Sequence, residues 1–220
     1  MVKRRLLELT AEGAEIAFKQ VIEDSVIKDI PIIGTLAKLC GIGLSIRDRL
    51  YTDKIRLFLI AIDEIPEDKR LQFRDAVASG HEECERLVQK ILLVIESQSD
   101  VEKSDIIANF FLAYLDGVIA QADFRRSLDV TANYFLDDLK EFLKGDAYRG
   151  FMRESYKDLE ANGLANLVGS PLIGFDKSTS GDLERLGWPN NSNTVLFENT
   201  SFGSLFKRAF HHGEQLRHKS

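Results

Sequence analysis

Between Ile30 and Ile46 the chain reads IPIIGTLAKLCGIGLSI, a run whose only charge is Lys38. A segment this apolar has to be enclosed, by other helices or by lipid. Pro31 suits the first turn of a helix, and Arg47, Asp48 and Arg49 close the run abruptly. As a helix it extends about 25 Å at about 1.5 Å per residue, a little short of the roughly 30 Å hydrocarbon core of a bilayer. Ala37, Gly41 and Ser45 recur every four residues, with Gly34 and Gly43 close by, the spacing that lets two helices approach closely. Each glycine costs a helix interior about 1 kcal/mol relative to alanine, so their presence needs a packing reason.

Three arrangements meet that need. The segment is a central helix with glycines where its neighbours cross, or it is buried at rest and released to a membrane or partner on activation, or it spans a membrane. Lys38 in its middle and the lack of a second such run speak against the span. Under the second arrangement, Gly34, Ala37, Gly41 and Ser45 are the expected contacts with a partner or membrane.

The rest of the chain supplies helices to enclose it. Only four prolines interrupt 220 residues, which favours long helices. Leu6 to Lys28 reads as an amphipathic helix with Ala14, Ala17, Phe18, Val21 and Ile22 on one stripe. Ile55, Phe58, Leu59 and Ile62 form another stripe, and Leu71, Phe73 and Val77 a third after Pro66. Cys84, Leu87, Val88, Ile91 and Ile95 mark a further face. Ser99 to Glu102 matches a capping box, Ser-x-x-Glu, ahead of an apolar run with Phe110, Phe111, Tyr114 and Leu115. Asp116-Gly117 ends that helix. The next carries Phe124, Leu128, Phe135, Leu139 and Phe142 at helical spacing, and Gly145 is a natural stop.

Beyond Gly145 the texture changes. A helix to about Asn162 is expected, then a short strand in LANLVGSPLIGF. Residues 169–193, rich in Gly, Pro, Ser and Asn, read as a long loop or wing. A second strand follows in TVLFE, and a last helix capped by Thr200 or Ser201 holds Phe202, Leu205, Phe206 and Phe210. The expected fold is mainly α, a helical bundle with a small C-terminal α+β part. Its divisions are 1–50 (amphipathic plus apolar helix), 51–144 (helical core) and 145–220 (α+β module).

Charge narrows the function. The net charge is −6, yet residues 144–220 hold 10 Lys+Arg against 9 Asp+Glu, where a DNA reader would be clearly basic. Cys40 and Cys84 form no disulfide framework, which favours a reducing compartment. The acidic residues after Met1 to Arg5 leave no signal peptide, so a cytoplasmic protein is expected, membrane-associated only if activated. No nucleophile elbow, zinc-protease motif or phosphate loop occurs. His81 and Cys84 lie three apart as on a helix, but no second pair stands near to complete a metal site. No catalytic residue, metal or cofactor is expected. The expected partner is another protein or a second copy of the chain, rather than nucleic acid.

Two local patterns carry resemblances. LDGVIAQADF, Leu115 to Phe124, resembles the turn of tellurite-resistance-type (TerB-like) helical domains in Asp116, Gly117, Ile119 and Asp123. Its physical logic is independent of the family: Gly117 closes one helix, Ile119 plugs the corner, and Asp123 sits at the positive end of the next. The order helix, strand, long loop, strand, helix after Gly145 is similar to the second half of winged-helix domains. That similarity implies either a packing module or a DNA reader, and the latter would use Arg149, Arg153 and Lys157 on one helical face, diluted by Asp146, Glu154, Asp158 and Glu160. The stretches Lys28–Leu39, Ser45–Leu50 and Leu115–Phe124 together resemble a group of bacterial helical proteins of phage-defence or stress-response loci. That resemblance implies an accessory or effector subunit.

Overall fold

The computed structural model describes residues 82–144, 154–155, 160, 163–175 and 196–218, with positions 50, 51, 53–55, 57, 58, 61, 68 and 71. The described chain is mainly helical, with a small antiparallel sheet near its C-terminal end. The apolar segment Ile30–Ile46, and Gly34, Ala37, Gly41 and Ser45 within it, lie outside the described residues.

Four helices follow one another in the middle of the chain: α1 (Glu82–Ser97), α2 (Lys103–Leu115), α3 (Gln121–Asn133) and α4 (Leu136–Leu143). Helix α3 packs on both α2 and α1, and the first turn of α2 meets the end of α3 through Lys103. Helix α2 is the most enclosed. Ile106, Ile107, Ala108, Phe110, Phe111, Leu112 and Ala113 are all buried, leaving no solvent stripe along its middle. Helix α1 buries Leu87, Ile91, Val94 and Ile95, as three-four spacing requires, and Ile55, Phe58 and Ala61 join the same core.

The α2–α3 corner forms as the local residues dictate. Gly117 takes φ of 74°, a conformation open to glycine because it lacks a Cβ. The Val118 N–H then donates to the Ala113 carbonyl at 2.9 Å and the Gly117 N–H to the Tyr114 carbonyl at 3.0 Å. These are the paired bonds of a Schellman motif. Ile119 is buried at the corner, and Asp123 lies in the first turn of α3.

Two expectations about the four central helices are corrected. The helix expected to run from Phe124 through Phe142 is two helices. Tyr134 and Phe135 are extended, with ψ of 153° and 142°, so the chain turns and Phe135 is left 79% exposed. The capping box at Ser99 is not made. Helix α2 begins at Lys103 after Glu102, without a side-chain cap, while the Ser99 hydroxyl bonds Asp100. The N–H groups of Lys103, Ser104 and Asp105 are met by the carbonyls of Asp100, Val101 and Glu102, a tight turn that replaces the cap.

The C-terminal sheet has the order β1-β3-β2, from β1 (Glu154–Ser155), β2 (Ile173–Phe175) and β3 (Leu196–Asn199). Both outer strands pair antiparallel to β3, with Phe197 opposite Glu154 on one side and Phe175 on the other. The strand at Glu154–Ser155 corrects the continuous helix expected to Asn162. Arg149, Arg153 and Lys157, expected on one face of that helix, lie outside the described residues.

The last helix, α5 (Ser201–His218), starts where expected. The Gly203 N–H donates to Thr200 Oγ1 at 2.8 Å, an N-cap bond. The same hydroxyl donates to the Pro171 carbonyl, fastening the approach to β2 to the helix start. Helix α5 then packs on α2. Phe206 meets Phe110 with ring centroids 4.3 Å apart. Near its far end, Arg217 donates to Asn109 Oδ1 at 2.9 Å and Asp105 Oδ1 at 2.8 Å.

Candidate functional site

One end of the helical unit gathers groups that were distant in sequence. It is built from the last turn of α1, the first turn of α2 and the α3–α4 corner. Neither α1 nor α3 has a basic residue in its last turn, so each leaves carbonyls at its negative end without a local cation. Lysines from elsewhere fill both places. Lys54 Nζ donates to the Glu96 carbonyl at 3.2 Å and to the Gln98 carbonyl. Lys103 Nζ donates to the Tyr134 carbonyl at 2.7 Å and reaches the Ala132 carbonyl at 3.5 Å.

Both lysines are buried. Burial pushes each ammonium below the ordinary lysine range, against the opposing pull of Glu96 and Asp100 on Lys54 and of Asp100 on Lys103. A third lysine, Lys140, is exposed and paired with Glu102 across the α2–α4 junction. That carboxylate holds it above the ordinary range, with Asp137 and Asp100 adding to the pull. Asp100 is therefore a shared neighbour of all three lysines.

The outer surface of this end is different. Glu96, Glu102 and Asp137 are exposed, and Asp100 and Asp138 half-exposed. Two large apolar side chains are exposed as well, Leu93 at 63% and Phe135 at 79%. Leu93 precedes Glu96 by three residues on α1, so the two share a stripe. Phe135 directly follows Tyr134, whose carbonyl Lys103 holds. The Lys90–Asp129 pair, at 2.5 Å, bridges α1 to α3 one turn below Leu93. Leu93 follows that pair by one turn on α1, and Phe135 lies just past the end of α3. Leu50, 48% exposed, is the other large apolar side chain left open among the described residues.

A cleft of about 560 Å³ lies beside this end, between α2, α4 and α5. Its floor is Leu57, Ile106, Leu143 and Phe210, and its polar rim is Glu102, Asp105, Lys140, Lys144, His211 and Glu214. The rim groups are committed to one another or to neighbours. Lys140 pairs with Glu102, Lys144 with Glu141, and Asp105 with Arg217. His211 Nε2 donates to the Leu143 carbonyl at 2.9 Å while Nδ1 lies 3.3 Å from Glu214. His212 faces Asp116 at 2.7 Å, tying α5 to the end of α2.

Among the described residues no group of three or more His, Cys, Asp or Glu is placed to hold a metal ion, and no helix is long and apolar enough to cross a membrane. His81 and the Cys84 side chain lie outside the described residues, as do Gly34, Ala37, Gly41, Ser45, Arg149, Arg153 and Lys157. The residues brought together at the candidate end, Lys54, Lys103, Leu93 and Phe135, belong to no sequence motif. The one local signal was negative, the missing basic residue in the last turns of α1 and α3. No protein-family model, curated protein or solved structure matches the chain.

Proposed function

We propose that this protein is a non-enzymatic interaction subunit that acts through its surfaces, on a partner protein or a second copy of itself. The supporting observation is the exposure of Leu93 and Phe135, which with Leu50 are the large apolar side chains left exposed among the described residues. A phenylalanine left in water forgoes about 1.5–3 kcal/mol of burial, and aromatic anchors of this kind concentrate binding energy at interfaces. The paired rim of the neighbouring cleft agrees with this reading, since its acids and bases already hold partners instead of standing ready for proton transfer. The resemblance of the apolar segment and the α2–α3 corner to phage-defence and stress-locus proteins fits an accessory or effector subunit of such a system.

Cross-linking the full chain in cells that make it, followed by native mass spectrometry, tests the reading. A discrete complex is expected, lost on combining Leu93→Ser with Phe135→Ser while the melting temperature holds. A chain that stays monomeric without a cross-linked neighbour, or a complex indifferent to both substitutions, overturns it.

A further inference from the structure

We draw no further inference here: the strongest candidate, the cleft of about 560 Å³ between α2, α4 and α5, has a charged rim already held by its own neighbours and an apolar floor with nothing in the structure to show what covers it.

Discussion

The backbone of Gly213 lies so close to Asn109 that a Cβ on the glycine would stand 2.0 Å from the Asn109 carbonyl oxygen. This contact sets how tightly α5 lies on α2. Four residues on, Arg217 reaches across to the Asn109 side chain and to Asp105, so the same asparagine meets α5 through both backbone and side chain. Gly213→Ala therefore has to push the helices apart. The expected loss is about 1–3 kcal/mol, or roughly 2–4 °C in Tm per kcal/mol for a chain of this size. A thermal melt equal to wild type would show that the seam yields freely.

Lys103→Met removes a buried cation from the end of α3 while keeping most of the side chain's bulk. Hydrogen bonds from a charged donor contribute about 1.5–3 kcal/mol each, and the Tyr134 carbonyl at 2.7 Å loses its donor. A comparable drop in urea-unfolding free energy is expected at neutral pH. The alkaline profile should change as well. The folded-state pKa of Lys103 is lowered by burial, so just below 10.5 the unfolded chain holds the proton that the folded chain has lost. Stability then rises with pH through that window. Tyr51 works oppositely: burial, then Glu96, raises its pKa above 10.0, so its contribution falls with pH above 10.0. Lys103→Met should flatten the rise below 10.5, and Tyr51→Phe should remove the fall above 10.0. Unchanged urea midpoints across this range in both variants would contradict the assignment.

What could be foreseen from sequence was local. The α2–α3 corner needs Gly117 for its backbone, Ile119 for its plug and Asp123 for the next helix, all within a few residues. The N-cap of α5 likewise rests on Thr200 and the three residues after it. The caps of α1 and α3 are the opposite case. Lys54 reaches a carbonyl 44 residues away and Lys103 one 31 residues away, and no helical or strand period links such positions. Phe135 misled for another reason. Leu128, Phe135, Leu139 and Phe142 stay in helical phase across a break, so periodicity cannot register a corner that changes direction without changing phase. Ser99 and Glu102 fit the capping spacing, but the N-cap falls three residues later, at Glu102, and the Ser99 hydroxyl turns to Asp100 instead. The residues singled out as contacts, Gly34, Ala37, Gly41 and Ser45, fall outside the described residues, and the exposure of Leu93 and Phe135 is a product of tertiary folding.

Thr200→Val separates the hydroxyl from the branched shape. Valine keeps the packing but neither accepts from the Gly203 N–H nor donates to the Pro171 carbonyl. Loss of an N-cap costs about 0.5–2 kcal/mol, and the lost strap to β2 adds to it. Thr200→Ser should retain both bonds and stay close to wild type. Chemical-denaturation midpoints that fail to separate the two variants would show that the cap is not used.

Phe135 and Phe110 belong to the same residue type and set opposite expectations. Phe110 is fully buried against Phe206, and Phe110→Ala should cost about 3–5 kcal/mol through lost burial and the cavity left behind. Phe135 is 79% exposed, so Phe135→Ser should shift unfolding by no more than about 0.5 kcal/mol, the range of ordinary surface changes. Its effect should fall on assembly instead, as loss of the cross-linked complex in an otherwise native chain. If Phe135→Ser melts the fold as Phe110→Ala does, Phe135 belongs to the core. The apolar end would then be a packing face, and its stability cost, measured without any partner present, is the reading that separates the two.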